Sequence, residues 1–225
     1  AVPGPLAVKV LERLGVDVIP LHCNWDNSFP NHPPDPTRQE NMEDLGRAVL
    51  EHGAEFGIGM DGDGDRLGVV DENGSFIRPD RLMGIFVKEV LSDLPDTATE
   101  DQRTIFFDVK CSMALEEAIE ELGGVPKMVR TGHTFMKKEL RKFPSSPMAG
   151  EMSGHFFMND HWGGFDDSIY CAARLLSIIS KDLSPEQGGP KFSERFKFMP
   201  EYPTTDEGKV PLVGEREEVM GAVVS

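Results

Sequence analysis

The chain is acidic: it has 225 residues with 39 Asp or Glu against 23 Lys or Arg, which gives a formal charge of −16 with neutral histidines. This charge argues against a nucleic-acid-binding protein, because phosphate backbones are held by clustered Lys and Arg. A hydrophobic fraction of 39% and a charged fraction of 28% are typical of a soluble globular chain with one large domain or two small ones.

Targeting signals and cysteines point to the cytoplasm. No apolar run approaches the roughly 20 residues that span a bilayer, so we expect no membrane association. The first residues lack the features of a secretory signal and an initiator Met, which suggests a fragment or a processed protein. The chain has three cysteines, an odd number, and they are far apart in the sequence: Cys23, Cys111 and Cys171. This number and spacing fit neither a disulfide framework nor a CxxC metal site.

The first part of the chain alternates helical and strand patterns. In chain order, the predicted elements are a helix over residues 6–14, a buried strand over 16–21, a loop over 24–40, a helix over 41–53 and a strand over 54–60. Two short strands around a turn at 71–74 then follow the sequence Asp-Gly-Asp-Gly-Asp.

The same alternation restarts after Pro79. The pattern predicts helices over 81–91, 112–122, 134–142 and 169–179, and strands over 104–109 and 127–129. We therefore predict an α/β fold of two successive domains with mixed, mostly parallel sheets flanked by helices. The domains span residues 1–79 and 80–199, and 200–225 is the truncated start of a further α+β domain.

Three aspartates, Asp61, Asp63 and Asp65, alternate with glycines directly after a predicted strand. Carboxylates this close repel one another unless a cation neutralises them, and hard oxygen ligands suit Mg²⁺ or Ca²⁺. Ligands of open α/β sheets bind beyond the carboxyl ends of the strands, which is where this segment lies. The sequence therefore predicts a divalent-metal loop, with a solvated acidic turn as the plain alternative.

Two other motifs overlap this segment. Asp61, Asp63, Asp65 and Glu72 match the spacing of an EF-hand calcium loop, but the sixth place is Arg66 where that loop needs Gly, and the flanks are strand-like. The glycines at 57, 59 and 62 spell G-x-G-x-x-G, yet the aspartates would face the phosphates of a dinucleotide. We interpret the second match as chance.

A basic segment, residues 129–142, contrasts with the acidic chain and would attract an anionic ligand locally. Its four basic residues within the predicted helix also fit a solvated helix face. His133, in a turn before that helix, is the better functional candidate. Lys110 follows a predicted strand at its ligand-binding end, although a surface lysine is the default.

Glu151, Ser153 and His155 alternate within Gly-Glu-Met-Ser-Gly-His. In an extended loop these side chains point the same way, which suits neighbouring sugar hydroxyls. The alternative is a hairpin turn with incidental polar groups. A serine-hydrolase elbow is excluded because the segment does not read G-x-S-x-G.

Taken together, GMDGDGDRLGVVDE, FDVKCS, VRTGHTFMKK, GEMSGHFF and GFDDSIYCAARLL resemble the α-D-phosphohexomutase family, in order along nearly the whole chain. The resemblance implies an enzyme that interconverts hexose 1-phosphates and 6-phosphates through a 1,6-bisphosphate and a phosphoserine. The family has four domains. This chain resembles three parts of them: the second domain, which here lacks its first strand; the whole third domain; and the opening of the fourth domain. The phosphoserine loop is not among these residues, so we expect the chain alone to be inactive.

The resemblance also implies roles for individual residues. Mg²⁺ is the expected cofactor, with Asp61, Asp63 and Asp65 as ligands. Arg66, Lys110 and His155 are the expected catalytic residues. The expected substrate contacts are His133, Glu151, Ser153, His155 and Lys110. Hexose phosphates and the missing domains of the same chain are the expected partners, and a non-catalytic phosphosugar-binding relative remains the alternative.

Overall fold

The computed structural model describes residues 1–182 and 184–203. The prediction for 200–225 therefore lies almost entirely outside the described residues. The described helices are α1 (Gly4–Arg13), α2 (Glu43–His52), α3 (Pro79–Ser92), α4 (Glu100–Arg103), α5 (Met113–Glu121), α6 (His133–Lys142) and α7 (Ser168–Ile179). The strands are β1 (Gly57–Met60), β2 (Leu67–Val70), β3 (Phe76–Ile77), β4 (Thr104–Asp108), β5 (Val125–Val129), β6 (Met148–Gly150) and β7 (Phe156–Met158). None of the described helices is long and apolar enough to cross a membrane.

The second sheet confirms the α/β prediction. Its strand order is β5-β4-β6-β7, with β4 parallel to both β5 and β6, and β7 antiparallel at one edge. Every residue of β4 is buried. Parallel strands of this kind need cover on both faces, which α3 and α5 supply on one side and α6 on the other.

The first sheet, β1-β2-β3, is antiparallel throughout. The prediction of a strand at 16–21 is wrong for the described structure, because these residues form no ladder. They line one wall of an open cavity of about 1030 Å³, and β1 lines the other. Without a partner within hydrogen-bonding reach, a β-prone segment has no ladder to join.

Two strands and a short helix were not predicted from the sequence. β6 and β7 have three residues each, too few to show a period of two. They flank the segment that we predicted to be an extended loop. α4 lies between the predicted helix over 81–91 and the predicted strand over 104–109, where the pattern indicated no element. It begins with a capping box in which Thr99 and Gln102 bond each other's backbone.

One apolar core joins the two sheets. Leu67 and Val69 of β2 pack in the same buried cluster as Phe86 of α3 and Phe156 of β7. Burying each such side chain stabilises the fold by about 1.5–3 kcal/mol. The aspartate loop, residues 61–66 between β1 and β2, is thereby held against the second sheet.

A buried ion network ties α7 to α3. The Arg174 guanidinium donates from Nε to Glu89 at 2.8 Å, and both of its terminal nitrogens bond the Asp160 carboxylate. Only 6% of the Arg174 side chain is exposed. Arg174 is therefore the buried cation that both carboxylates share, and Glu89 has a second, exposed partner in Lys181.

Replacing Arg174 by Met should lower the free energy of unfolding by about 3 kcal/mol, because Glu89 and Asp160 lose their buried partner. Urea denaturation measures this loss. Lys181→Met is the matched control: Lys181 lies 3.5 Å from Glu89 but is 57% exposed, so its removal should cost under about 1 kcal/mol. Equal losses of unfolding free energy in Arg174→Met and Lys181→Met would contradict the stabilising role of the buried Arg174 network.

The same network predicts acid sensitivity. Burial raises the pKa of Asp160, but hydrogen bonds from Arg174 outweigh it and leave the pKa below its ordinary value. A carboxyl with a lowered folded pKa contributes stability above its unfolded pKa of about 3.9, and that stability is lost as pH falls through the folded pKa. The urea concentration at half-unfolding should decrease as the pH is lowered below about 4. This decrease should be smaller in Arg174→Met than in the unsubstituted protein.

Candidate functional site

The aspartate loop, residues 61–66, is folded around one buried carboxylate. Asp61 accepts backbone N–H bonds from Gly64, Asp65 and Arg66, at 2.9, 3.0 and 3.2 Å, all at its Oδ1. Gly64 has φ of +90°, a conformation that side chains disfavour, and it lets these N–H groups converge. The loop therefore fixes its own shape and leaves the second oxygen of Asp61 for another partner.

The carboxylates of Asp61, Asp63 and Asp65 each offer an oxygen within 4.8 Å of the others. Burial, together with a hydrogen bond and the charge of Asp65, raises the pKa of Asp61 to about 6. A raised pKa means that the ionised form is short of compensating positive charge. An all-oxygen set with excess negative charge fits a hard divalent cation.

Arg66 partly neutralises this cluster. Its Nε lies 3.7 Å from Asp61 Oδ2 and 3.9 Å from Asp65 Oδ1, while Nη1 lies 3.8 Å from Asp35. These contacts are longer than hydrogen bonds, and about a third of the side chain is exposed. The guanidinium fork is thus available to the oxygens of an anionic ligand.

Glu151, Ser153 and His155 lie in a hairpin turn between β6 and β7, not in the extended loop that we predicted. Glu151 N–H donates to the His155 carbonyl at 3.0 Å, and Gly154 N–H donates to the Glu151 carbonyl at 3.0 Å. Gly154 has φ of +81°. The turn forms because β6 and β7 pair antiparallel, which brings residues 151 and 155 opposite each other.

The polar groups of this hairpin turn converge. His155 Nδ1 lies 3.0 Å from Glu151 Oε2 and 2.8 Å from Ser153 Oγ. Gly132 N–H donates to Glu151 Oε1. Glu151 is 1% exposed, and Gly132, Ser153 and His155 donate to its carboxylate.

Both partners of the Glu151–His155 pair have shifted pKa values. Burial raises the pKa of Glu151, but hydrogen bonds from His155 and Gly132 leave it lowered overall. Burial lowers the pKa of His155, but the hydrogen bond to Glu151 and the charge of Asp65 leave it raised overall. When Nδ1–H donates to Glu151, His155 Nε2 faces the aspartate loop, 3.3 Å from Asp65 and 3.4 Å from Arg66.

The hairpin turn and the aspartate loop are hydrogen-bonded to each other. Leu67 N–H donates to the Gly154 carbonyl at 3.0 Å, and Arg66 and His155 form an isolated antiparallel bridge. Ser168, at the start of α7, bonds the Gly64 carbonyl through its hydroxyl at 2.7 Å. Two predicted motifs about 90 residues apart thus form one site.

The other predicted residues occupy different surroundings. His133 is the first residue of α6, and its ring centroid lies 5.9 Å from that of His155. Lys110 is exposed, two residues after β4 ends. The structure therefore brings His133 to the site, and it places Lys110 on the same edge of the sheet.

The sequence analysis missed three aspartates. Asp35 comes from the 24–40 loop, and Asp166 lies beside His133 with 6% of its side chain exposed. Asp108 is fully buried, where its carboxylate accepts from Thr131 Oγ1 at 2.8 Å and from Met152 N–H at 3.1 Å. Its place at the carboxyl end of a buried strand was the signal that could have identified it.

The EF-hand alternative is wrong. The aspartate loop is flanked by β1 and β2, whereas an EF-hand loop joins two helices. Glu72, the twelfth position, bonds Ser193 instead, at 2.6 Å between Oε1 and the hydroxyl. It therefore does not point at the aspartates as a bidentate ligand.

Comparison with known proteins gives the family. The family model described as "Phosphoglucomutase/phosphomannomutase, alpha/beta/alpha domain II" matches residues 1–74, and the one for alpha/beta/alpha domain III matches residues 78–202. The chain is 46% identical over 215 residues to the phosphomannomutase/phosphoglucomutase of Pseudomonas putida, covering 93% of this chain and 44% of that protein. It is 43% identical over 186 residues to the phosphoglucomutase of Neisseria gonorrhoeae, covering 83% of this chain and 39% of that protein.

A solved structure agrees. The phosphoglucomutase/phosphomannomutase family protein of Burkholderia thailandensis superimposes with a TM-score of 0.80 at 40% identity, covering 92% of this chain and 42% of that one. The chain thus spans less than half the length of the relatives that it matches. The resemblance drawn from the motifs is confirmed: the chain belongs to the phosphoglucomutase/phosphomannomutase family of α-D-phosphohexomutases.

Proposed function

We propose that this chain supplies the metal loop and the sugar-binding loop of a phosphohexomutase that interconverts hexose 1-phosphates and 6-phosphates. The substrates are mannose or glucose phosphates, and the intermediate is a 1,6-bisphosphate formed with a phosphoserine outside these residues. The observation that carries the proposal is the junction of the two loops, where His155 Nε2 lies 3.3 Å from Asp65. Phosphate chemistry and hydroxyl recognition can therefore share one site.

Phosphoryl transfer depends mainly on positioning and on charge neutralisation. Asp61, Asp63 and Asp65 would hold Mg²⁺, which would neutralise phosphate oxygens when bound. Arg66 adds a planar donor fork beside them. His155 is the histidine at this junction; burial lowers its pKa, but the hydrogen bond to Glu151 and the charge of Asp65 leave the pKa raised, which favours its protonated form.

The hairpin turn supports recognition of the sugar. By family resemblance, Glu151 and Ser153 bind the 3- and 4-hydroxyls of the hexose, which glucose and mannose share. In the structure the Glu151 carboxylate accepts from Gly132 at one oxygen and from Ser153 and His155 at the other. A sugar hydroxyl would replace the bond from Ser153, which at 3.3 Å is longer than the 3.0 Å bond from His155.

The cellular setting belongs to the same proposal. We place the enzyme in cytoplasmic sugar-phosphate metabolism, in line with its unpaired cysteines. The remaining domains of a longer phosphohexomutase would provide the phosphoserine and a phosphate-binding loop. Sustained mutase turnover by these 225 residues alone would contradict this division of labour.

The metal assignment predicts charge-dependent cation binding. Asp61→Asn keeps an oxygen for the three loop N–H groups but removes the charge, so Mg²⁺ affinity should fall at least about tenfold by titration calorimetry. Asp63→Asn should do the same. Asp17→Asn, which removes an exposed carboxylate outside the loop, is the control and should bind Mg²⁺ unchanged. Unchanged affinity in both loop variants would refute the metal site.

The sugar assignment predicts a ligand-specific thermal shift. With Mg²⁺ present, glucose 1-phosphate or mannose 1-phosphate should raise the melting temperature more than inorganic phosphate does, because a ligand that binds only the folded state stabilises it. Ser153→Ala and Glu151→Ala should reduce the extra shift, whereas Ser145→Ala, at an exposed serine, should retain it. A full shift in Ser153→Ala and Glu151→Ala would show that this turn does not read the sugar.

A further inference from the structure

Asp166, in the segment before α7, carries a buried oxygen with no assigned role. Its Oδ1 accepts from Lys137 Nζ at 2.6 Å. Its Oδ2 is shielded from solvent and has no hydrogen-bond partner among the residues that the structure describes. A buried carboxylate oxygen of this kind is costly, so its retention needs an explanation.

Three chemistry-bearing groups surround this carboxylate. His133 Nδ1 lies 3.9 Å from Asp166 Oδ2. One oxygen of Asp166 lies within 4.8 Å of ligand atoms of both Asp65 and His155. Asp166 thus lies next to His133, Asp65 and His155 of the proposed site.

Lys137 connects Asp166 to His133. It lies one turn after His133 on α6, and its Nζ is 3.2 Å from His133 Nδ1. An ammonium group has donors and no acceptor, so it must donate to Nδ1, which then carries the lone pair. The neutral imidazole therefore bears its hydrogen on Nε2.

We propose that Asp166 is a positioning residue that acts through Lys137. The carboxylate holds the ammonium against His133 Nδ1, so that Nε2 presents its N–H as a donor to an oxygen of the sugar phosphate. The proposal rests on the proposed function and deepens it, because it names what orients a substrate-binding histidine. About half of the His133 side chain is exposed, which leaves this donor accessible.

The unpartnered oxygen then has a purpose that can be tested. If Lys137 is removed, Asp166 Oδ2, 3.9 Å from Nδ1 and without another partner among the described residues, offers an acceptor for an N–H at Nδ1. The hydrogen would move from Nε2 to Nδ1, and the accessible nitrogen would become an acceptor. Lys137 thus selects one tautomer over the other.

Asp65, His155 and Asp166 could instead suggest a second cation site. The charges argue against it. Lys137 already neutralises Asp166 at 2.6 Å, and Arg66 Nε lies 3.4 Å from His155 Nε2. A divalent ion placed there would be repelled by both side chains.

The test measures the His133 tautomer by ¹⁵N–¹H correlation of histidine-labelled protein, in a full-length phosphohexomutase that contains this chain. The pH is about 8.5, two units above the ordinary histidine pKa of about 6.5. His133→Gln identifies the signal. The neutral His133 ring should carry its hydrogen on Nε2 in the unsubstituted protein and on Nδ1 in Lys137→Met. In Asp166→Asn it should be a mixture of the two tautomers.

Two further variants sharpen the comparison. Lys137→Arg retains a cationic donor and should keep the Nε2 hydrogen. Lys138→Met removes the neighbouring exposed lysine of α6 and should leave the tautomer unchanged. Should Asp166→Asn fail to fold, Lys137→Met against Lys137→Arg carries the test.

Binding provides the second readout. Affinity for glucose 1-phosphate, measured by calorimetry, should fall about tenfold in Lys137→Met and Asp166→Asn, the scale of one hydrogen bond to a charged group. An Nδ1 hydrogen in the unsubstituted protein, or a tautomer unaffected by Lys137→Met, would overturn the proposal. The expected tautomers without any sugar-phosphate binding would instead uphold the positioning role and refute the proposed function.

Discussion

The site depends on a backbone junction between two loops from different parts of the chain. Leu67 N–H donates to the Gly154 carbonyl, and the adjacent residues Arg66 and His155 form an antiparallel bridge. Backbone bonds of this kind fix the register of the two loops regardless of which side chains they carry. Because β2 is buried in the core shared with the second sheet, the junction is held from both sides. The aspartate loop on one sheet thereby comes within hydrogen-bonding distance of a histidine on the other.

Charge is the second constraint on this site. A chain of net charge −16 concentrates Asp61, Asp63, Asp65, Glu151 and Asp166 within one region. Those carboxylates that are shielded from solvent need backbone N–H groups, a side-chain cation or a bound ion to offset their desolvation. Asp61 takes backbone N–H groups, Glu151 takes His155, and Asp166 takes Lys137. Lys137, from the basic segment 129–142, therefore neutralises a carboxylate at the site.

Positioning in this protein comes largely from buried acids behind the exposed groups. Asp108 joins the segment before α6 to the hairpin turn, through Thr131 and Met152. Glu151 joins the same two segments through Gly132. These bonds cross between the carboxyl ends of β4, β5 and β6, where ligands of parallel sheets bind. Protein–protein hydrogen bonds of this kind reduce the ordering cost of binding, because the groups that they hold need not be ordered by the ligand.

The sequence by itself determined the family, the α/β class, most helices and the aspartate loop, because these depend on local periodicity and on short motifs with their own chemistry. It placed Glu151, Ser153 and His155 on one segment but predicted the wrong conformation, since the pairing of β6 with β7 is a non-local event. It also predicted a strand at 16–21 that finds no partner, because a ladder depends on what lies beside it. Only the tertiary structure brought Asp166 to His133 and Asp35 to Arg66, and only it could show that Lys137 is not a solvated lysine. Such contacts arise from folding segments about 30 residues apart onto one another, and no local pattern encodes them.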